Sequence, residues 1–283
     1  MEKTTIKKTI FFSFLFISII ALTFFINILY ARYDGSSFRS SIDIDNSDLN
    51  IKWDRYTEQN IELSESLEIT RSGIYHLTGE LENGLVFTNL GKKGEVKLIL
   101  DNVTIKNSSG PAILCSEGND LVIELIGENN LISKEEYDVS YGNDVKGVIY
   151  SKADLTFYGE GTLNINAQFS DGIVGKDDLK INSGNYNIIS KNDGIRGKDS
   201  VYIINGNFKI ESAGDAIKST NDIDYGKGFV LIEKGNFEII ADGYGIYADR
   251  RIILDGGDIV FKKSYRPLES PIIVNDSNLT ISQ

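Results

Sequence analysis

The sequence has almost none of the residues that build disulfide frameworks or histidine-based active sites. Its 283 residues include one cysteine, one histidine, one tryptophan and three prolines. The only cysteine, Cys115, excludes an intramolecular disulfide and lies in an apolar run that is typical of a strand interior. His76 lies in an alternating strand pattern, and no serine nucleophile motif accompanies it. The sequence therefore gives no support to redox chemistry or to nucleophilic catalysis.

Positive charge is also scarce. The 29 Lys and Arg residues stand against 41 Asp and Glu residues, which gives a net charge of −12, and the basic residues are scattered along the chain. A nucleic-acid partner is therefore not expected. What the sequence does contain is 27 glycines and 41% hydrophobic residues. This composition predicts a folded chain with many tight turns between short strands.

The N-terminal segment predicts a membrane anchor. Residues 10–29 form an unbroken apolar run without a charged side chain, and Lys3, Lys7 and Lys8 precede it. Such a run is long enough to cross a bilayer, and the preceding lysines hold the N-terminus in the cytoplasm. We therefore expect a cytoplasmic segment at 1–9, a transmembrane signal anchor at 10–30, a polar linker at 31–60 and an extracytoplasmic domain at 61–283. The protein would be a single-pass protein of the cell membrane, or a secreted one if the segment is a cleaved signal peptide.

Beyond residue 61 the chain shows a repeat. Gly184, Gly206, Gly235 and Gly257 lie at equivalent places in one strand template, and only the step from Gly206 to Gly235 is longer than the others. A unit as short as the interval from Gly184 to Gly206 cannot bury its own apolar side, so successive units must stack. The repeat predicts an all-β fold, a right-handed single-stranded parallel β-helix. A β-propeller or a β-sandwich is the alternative, but a propeller blade needs about 40–45 residues.

Stacking predicts columns of equivalent side chains about 4.8 Å apart. The glycines would mark corners, where a positive φ requires the absence of a Cβ atom. We expect two columns inside the fold, one aliphatic and one aromatic: Leu179, Val201, Val230 and Ile252 in the first, and Tyr186, Phe208 and Phe237 in the second.

Two further columns are acidic. The segments beginning at residues 171, 193 and 215 align and predict two columns at the turns: Asp171, Asp193 and Asp215, and Asp177, Asp199 and Asn221. Carboxylates stacked this closely repel one another unless a counter-charge lies between them. Calcium, which prefers oxygen ligands, is one source of that charge. Arg196 and Lys218 beside the acids are another, and the acids could also serve only as turn residues.

A seven-residue insertion interrupts the repeat after Asn221. Long loops on one face of a solenoid often carry function. Tyr225 lies in this insertion, and Tyr244 takes the place of the aspartate in the fourth coil. Both tyrosines could stack on sugar rings or serve as packing residues. Together with Arg196 and Lys218 they are the candidate substrate-binding residues.

The most specific segments are DGIVGKDDLKI, NDGIRGKDSVYI and GDAIKSTND. They resemble the calcium-dependent carbohydrate-binding β-helix family of clostridial cell-surface proteins. The resemblance implies a pectate-lyase-like architecture, bound calcium, and affinity for acidic plant polysaccharide such as polygalacturonate and for cellulose. The calcium ligands that it implies are Asp171, Asp177, Asp193, Asp199, Asp215, Asn221 and Asp222. The last coil departs from the pattern, because Tyr244 and Arg250 stand where the earlier coils have acids.

Three functions follow from these residues. The first is non-catalytic, calcium-dependent binding of polysaccharide at the cell surface. The second is a polysaccharide lyase in which Arg196 or Lys218 removes a proton next to a uronate carboxylate, which requires a lowered pKa although the neighbouring acids raise it. The third is a structural or adhesive surface protein whose calcium serves folding alone. Hydrolysis by two carboxylates stays open, because the sequence does not give their separation.

Overall fold

The computed structural model describes residues 42, 50–134, 136–275 and 279–282. The segments predicted at 1–9 and 10–30 lie outside the described residues, as does most of the linker up to residue 49. Among the described residues, no helix is both long enough and apolar enough to span a bilayer.

The described part of the chain is all-β apart from two short 3-10 helices, Trp53–Arg55 and Val139–Tyr141. In chain order the strands are β1 (Glu58–Leu63), β2 (Leu67–Ile69), β3 (Gly73–Glu82), β4 (Val86–Asn89), β5 (Glu95–Asp101), β6 (Thr104–Asn107), β7 (Ile113–Glu117), β8 (Asp120–Ile126), β9 (Glu128–Ser133), β10 (Gly147–Ser151), β11 (Asp154–Gly159), β12 (Thr162–Ala167), β13 (Asp171–Gly175), β14 (Asp178–Ile181), β15 (Asn185–Ser190), β16 (Ile195–Gly197), β17 (Ser200–Ile203), β18 (Asn207–Ser212), β19 (Ile217–Ser219), β20 (Phe229–Ile232), β21 (Asn236–Ala241), β22 (Tyr244–Ala248), β23 (Arg251–Leu254), β24 (Gly257–Lys263), β25 (Arg266–Glu269), β26 (Ile272–Asn275) and β27 (Leu279–Ser282).

These strands form three faces, and each strand pairs in parallel with the strand one coil away. The first face contains β1, β3, β5, β8, β11, β14, β17, β20, β23 and β26; the second contains the end of β3 and β6, β9, β12, β15, β18, β21, β24 and β27; the third contains β2, β4, β7, β10, β13, β16, β19, β22 and β25. A complete coil visits the first, second and third faces in turn. This arrangement is consistent with a parallel β-helix solenoid, and its right-handed winding stays a prediction.

The predicted aliphatic column is confirmed. Leu179 pairs with Val201, Val201 with Val230, and Val230 with Ile252, and all four side chains are fully buried. Strands of the second face show why the chain folds this way, since β18 alternates exposed and buried residues along its whole length. The buried side chains belong to one continuous core that runs through the stack of coils.

The predicted aromatic column is confirmed as well. The ring centroids of Tyr186 and Phe208 are 4.9 Å apart, and those of Phe208 and Phe237 are 4.6 Å apart with an interplanar angle of 2°. The corner glycines at 184, 206, 235 and 257 all have positive φ, between 103° and 147°. In the preceding coil Gly159 takes this conformation instead of Gly161, where a Cβ atom would lie 2.7 Å from the backbone of Leu125.

Two insertions break the repeat. Residues 134–146 join β9 to β10, and described residues of this insertion pack against the outer surface of the third face. There Tyr137 and Val145 form a second hydrophobic cluster with Leu114, Tyr150 and Val174. The predicted seven-residue insertion is confirmed, because it lengthens the connection between β19 and β20, which spans residues 220–228 and is called the insertion at 220–228 below. The first strand begins at Glu58, slightly before the predicted start of the domain, because its pairing with β3 begins there.

His76 joins the first coils and makes their stability sensitive to pH. Its Nδ1 atom lies 3.0 Å from Glu58 and its Nε2 atom 3.1 Å from Asp101, so the ring links β1, β3 and β5. The hydrogen bond to Glu58 raises the pKa of His76 above 6.5, with a further contribution from Asp101 and against the effect of burial. The stabilisation is therefore complete below about pH 6.5 and is lost as pH rises through the raised pKa.

We expect this loss to be about 0.5–1 kcal/mol, because both ion pairs are partly open to solvent. It should appear in urea unfolding curves recorded between about pH 6 and pH 9. The variant His76→Gln lacks this titration, so its stability should change with pH in this range only through other groups, which wild type shares. A wild-type curve parallel to that of the variant would contradict the prediction.

Candidate functional site

The outer surface of the third face is divided in two. One column of outward side chains runs along it in register: Phe87, Leu114, Tyr150, Val174, Arg196, Lys218 and Tyr247. Tyr137, Tyr141 and Val145 of the insertion at 134–146 pack on the apolar half of this column. The other half, with Arg196, Lys218 and Tyr247, is partly exposed, and we call it the open face.

The first acidic column borders the open face and is buried. The carboxylate of Asp171 has no exposed surface, and its Oδ1 atom accepts hydrogen bonds from Asn192 at 2.6 Å and from the backbone N–H of Asp193 at 3.2 Å. Its Oδ2 atom accepts hydrogen bonds from Nε and Nη2 of Arg196 at 3.0 and 2.5 Å. Asp171 is therefore a fully buried anion with a guanidinium partner from the next coil.

The backbone part of this arrangement repeats in the following coils, whereas the basic side chain there is closer to the aspartate of its own coil. Asp193 Oδ1 accepts the backbone N–H of Asp215 at 3.0 Å, and Asp215 Oδ1 accepts the backbone N–H of Tyr244 at 2.8 Å. Lys218 Nζ lies 2.7 Å from Asp215 Oδ2 and 3.6 Å from Asp193 Oδ2. Burial is the main factor that raises the pKa of Asp193, and the positive charge of Lys218 offsets part of this rise. We call Asp171, Asp193 and Asp215 with Arg196 and Lys218 the acid–base ladder.

The contacts within the acid–base ladder show how the repulsion between its three aspartates is compensated. Each oxygen of Asp171, Asp193 and Asp215 lies near a backbone N–H, an amide or a basic side chain of the same chain. The arrangement matches the alternative in which Arg196 and Lys218 supply the counter-charge. A calcium ion would have to displace these partners, so the assignment of these acids as metal ligands stays a prediction that the geometry does not favour.

The second acidic column lies at the corner between the third and first faces. Asp199 Oδ1 accepts a hydrogen bond from Asn221 Nδ2 at 2.8 Å. Burial acts to raise the pKa of Asp199, but hydrogen bonds with Asn221 and Asp177 and the nearby Lys227 hold it below the usual value. Asn221 Oδ1 accepts the backbone N–H groups of Ile223 and Asp224 at 3.0 Å each, so this oxygen is occupied by the insertion itself.

Asp177 belongs to a tighter group that the repeat alignment did not identify. One oxygen each from Asp154, Asp177 and Asp178 lies within 4.8 Å of the other two, and we call these residues the acid cluster. Asp154 begins β11 and Asp178 begins β14, and their neighbours Leu155 and Leu179 pair across the two coils. Two oxygens bound to one calcium ion at about 2.3–2.6 Å each can lie no more than about 5.2 Å apart, and the three oxygens meet this limit. The spacing of these oxygens therefore fits a hard divalent cation, while Asp154 Oδ1 also accepts the backbone N–H of Asp178 at 3.1 Å and Asp178 Oδ1 accepts the hydroxyl of Ser200 at 2.7 Å.

The acid cluster opens into a polar cavity of about 520 Å³. Asp154 and Asp177 line it together with Ser116, Asn119 and Lys152. Oxygen ligands and a basic side chain thus share one cavity, which is large enough for a sugar residue and water. No other group of three acidic, histidine or cysteine side chains within the described residues is placed as closely.

The protonation of the acid cluster reflects its crowding. Burial, followed by the charges of Asp177 and Asp178, raises the pKa of Asp154 to about 7. Burial and a hydrogen bond with Asp199 raise the pKa of Asp177 to about 6. Near neutral pH the cluster is thus short of positive charge, although Lys227 lies beside it. Groups with such shifts are candidates for a binding site.

The remaining predicted residues lie elsewhere. Asp222 is exposed and is not grouped with the other acids. Tyr225 is 67% exposed, and the guanidinium of Arg251 lies 4.6 Å from its ring centroid. Tyr244 packs against Tyr247 with ring centroids 5.4 Å apart, beside Lys218 on the open face.

The signal for the acid cluster is present in the sequence. An aspartate directly precedes the first inward leucine in Asp154-Leu155 and Asp178-Leu179. Leu155 and Leu179 are further apart in sequence than Leu179 and Val201. The repeat length that aligns the acids at the turns therefore does not align Asp154 with Asp178. The pairing of β11 with β14 brings them together.

The chemistry of the open face does not favour proton abstraction. Burial alone would lower the pKa of Lys218, but Asp215 and Asp193 raise it above the usual value. A lyase base must lose its proton near neutral pH, which a lysine with a raised pKa does not do readily. Lys218 is therefore better suited to ion pairing than to catalysis.

Comparisons with known proteins bear on this arrangement. A family model described as carbohydrate-binding domain-containing protein matches residues 64–278. A carbohydrate-binding domain-containing protein of Acetivibrio thermocellus is 33% identical over 126 residues, which are 43% of this chain and 44% of that relative, so the match spans less than half of the relative. A solved structure, the polysaccharide lyase-like protein from C. thermocellum as a gadolinium derivative, superimposes with a TM-score of 0.73 and 28% identity over 80% of this chain and 99% of that chain.

Proposed function

Because the chain belongs to the family of carbohydrate-binding domain-containing proteins, we propose that it binds polysaccharide through calcium held by the acid cluster. The family agrees with the resemblance in the sequence. The observation that carries the calcium part of the proposal is the placement of three carboxylates within 4.8 Å of one another. Calcium binds oxygen ligands of this kind and tolerates irregular geometry. Its chemistry here would be to neutralise the acids and to bind a further oxygen ligand.

The charge of the chain favours a bridging cation if the polymer is acidic. With a net charge of −12, the protein repels a polyanion unless positive charge is concentrated at the contact. The acid–base ladder does not supply this charge, since its two basic residues face three aspartates. The cavity at the acid cluster has Lys92 and Lys152 in its lining. A uronate carboxylate could contact the ion and either lysine there.

The open face would provide the second contact. Tyr244 and Tyr247 form an aromatic pair there, and Tyr265 lies 5.7 Å from Tyr244 between ring centroids. Aromatic side chains have large apolar faces suited to the apolar faces of sugar rings. Arg196 and Lys218 remain proposed substrate contacts, as hydrogen-bond donors that are already charge-compensated. Polygalacturonate and cellulose are the polymers to test.

The proposal is tested by retention on polymer. The full-length chain in mild detergent is passed over immobilised polygalacturonate and over cellulose, each with calcium and with a chelator. We expect calcium-dependent retention on polygalacturonate. The variant Asp177→Asn should weaken it by at least about tenfold, as expected for loss of a direct metal ligand. Asp177 is half exposed, so this variant should keep the fold.

The matched control is Asp242→Asn. Asp242 is also an exposed aspartate beside a lysine, Lys263, but it lies outside the acid cluster. This variant should be retained like wild type. An equal loss of retention in both variants would show a general effect of charge. Retention that is the same with calcium and with the chelator would contradict calcium dependence.

Two other outcomes separate the alternatives. A rise in ultraviolet absorbance from unsaturated product during incubation with polygalacturonate would identify a lyase. Absence of both retention and product would favour a structural or adhesive protein whose calcium serves folding. The location at the cell surface and the anchor at 10–30 stay predictions, which fractionation of membranes would test.

A further inference from the structure

Lys227 is the basic residue of the insertion at 220–228, and its side chain lies among acids of the neighbouring coils. Its Nζ atom lies 3.4 Å from Asp178 Oδ2, 3.4 Å from Asp199 Oδ2 and 4.0 Å from Asp177 Oδ1. Two of these partners are members of the acid cluster. The lysine thus places one positive charge beside a group of three crowded carboxyl groups.

The insertion is built so that Lys227 reaches this place. Asn221 closes its start by accepting two backbone N–H groups, and the N–H of Lys227 donates to the carbonyl of Asp224 at 3.1 Å. The N–H of Gly228 then donates to the carbonyl of Asp199 at 2.6 Å. The bond from Gly228 fixes the backbone next to Lys227 against the coil that carries Asp199, and the other bonds order the loop internally.

The rest of the insertion is held from the following coil. Arg250 donates to the carbonyl of Ile223 at 3.0 Å, and Arg251 donates to the carbonyl of Tyr225 at 3.0 Å. Lys227 is 22% exposed, whereas Tyr225 and Ile223 in the same loop are largely exposed. The middle of the loop therefore faces solvent, whereas Lys227 points to the acids.

We infer that Lys227 is a tethered counter-ion of the acid cluster, which competes with a divalent cation and sets the affinity of the site. The inference rests on the proposed function. A cation bound by Asp154, Asp177 and Asp178 would lie within a few ångströms of the ammonium group, where like charges repel strongly. Lys227 must then give up its contacts with Asp177 and Asp178 and retain Asp199.

Competition predicts a gain of affinity when the charge is removed. The variant Lys227→Met keeps the length of the side chain and should bind calcium about tenfold more tightly than wild type. Titration of the full-length chain with calcium chloride, followed by calorimetry, measures the change. Lys227→Arg keeps the charge and should bind calcium like wild type.

The control is Lys263→Met, which removes the same charge from another lysine–aspartate pair, with Asp242. Its calcium affinity should equal that of wild type. If Lys227→Met binds calcium no more tightly than this control, the competition is overturned while calcium binding itself stands. If wild type and Lys227→Met both fail to bind calcium, the proposed calcium site is overturned too. Binding by Lys227→Met alone would show that the lysine excludes the ion.

A second measurement follows the lysine itself. Acetylation of Lys227 by acetic anhydride, quantified by mass spectrometry of the full-length chain, should be slow without calcium and severalfold faster with it. Acetylation of Lys263 should not respond to calcium. A rate for Lys227 that stays constant while calcium binds would show that the lysine keeps its place and does not compete.

Discussion

Replacing Asp171 with alanine is expected to lower the free energy of unfolding by about 3–5 kcal/mol. The carboxylate has no exposed surface and receives hydrogen bonds from Arg196, Asn192 and the backbone of Asp193. Alanine leaves the buried backbone N–H of Asp193 and the mostly buried guanidinium of Arg196 without this acceptor. Among the described residues, Arg196 then keeps only Asp193, at 3.7 Å, as an anionic partner.

The variant Asp171→Asn separates the two parts of this effect. Its side-chain oxygen can still accept the N–H of Asp193, but it carries no charge for Arg196. We expect a loss of about 1–3 kcal/mol, as for a hydrogen bond to a charged group. Urea unfolding followed by circular dichroism gives the free energies, and the slope of the transition shows whether the coils still unfold together.

Asp222→Ala is the control for this series. Asp222 was predicted as a metal ligand by the same resemblance, but it is exposed. We expect a change within about 0.5 kcal/mol. If Asp171→Ala were as stable as Asp222→Ala, the acid–base ladder would contribute nothing to the fold.

The second large effect concerns pH and calcium together. Burial and the neighbouring acids raise the pKa of Asp154 to about 7 in the folded chain, against 3.8 as its ordinary value. Between these values the folded chain holds a proton that the unfolded chain has released. The stability of the fold therefore decreases as pH rises through this range. We expect a loss of roughly 2–4 kcal/mol between about pH 4 and pH 8 without calcium.

Calcium should reverse this loss at the upper end of the range. An ion on Asp154, Asp177 and Asp178 favours their charged forms, and binding to the folded chain alone stabilises it by about 2.7 kcal/mol at 100 times the Kd. Thermal unfolding at about pH 5 and about pH 8, with calcium and with a chelator, measures both effects. The calcium-induced rise in Tm should be larger at the higher pH.

Asp154→Asn identifies the group responsible. The amide does not titrate, so this variant should lose most of the decline with pH and most of the response to calcium. Adding His76→Gln should reduce the decline that remains near neutral pH, because His76 loses its stabilisation in the same direction, and Asp177, whose pKa burial raises to about 6, should account for what is left. Stability that increased from about pH 4 to pH 8 in wild type would contradict the raised pKa of Asp154.

The sequence was sufficient for the columns of the fold because its period fixes the register. Leu179, Val201 and Val230 occupy equivalent positions, and only stacking of the coils buries all of them. The acids at 171, 193 and 215 were also correctly aligned. Whether they bind a metal or a basic side chain depends on where the side chains of Arg196 and Lys218 point. The alignment of the repeats does not predict this orientation.

The acid cluster was missed for a related reason. The coil of Asp154 is separated from the next coil by a longer interval than the one that relates the later coils, so the later period does not align Asp154 with Asp178. Lys227 lies in an insertion. The spacing of residues there does not follow the repeat, so the sequence does not predict which acids Lys227 contacts. The insertion at 134–146 was not predicted either, because its apolar residues pack on the outer surface of the third face rather than inside the repeat.

The acid–base ladder has a direction along the solenoid, because each aspartate uses one oxygen to accept the main-chain N–H of the coil that follows it. Its last acceptor, Asp215, receives the N–H of Tyr244. The terminal position thus has to donate a backbone hydrogen bond but not to accept one with its side chain, and every amino acid except proline can do so. Tyr244 therefore continues the hydrogen-bond series without an acid, and its ring packs against Tyr247 instead.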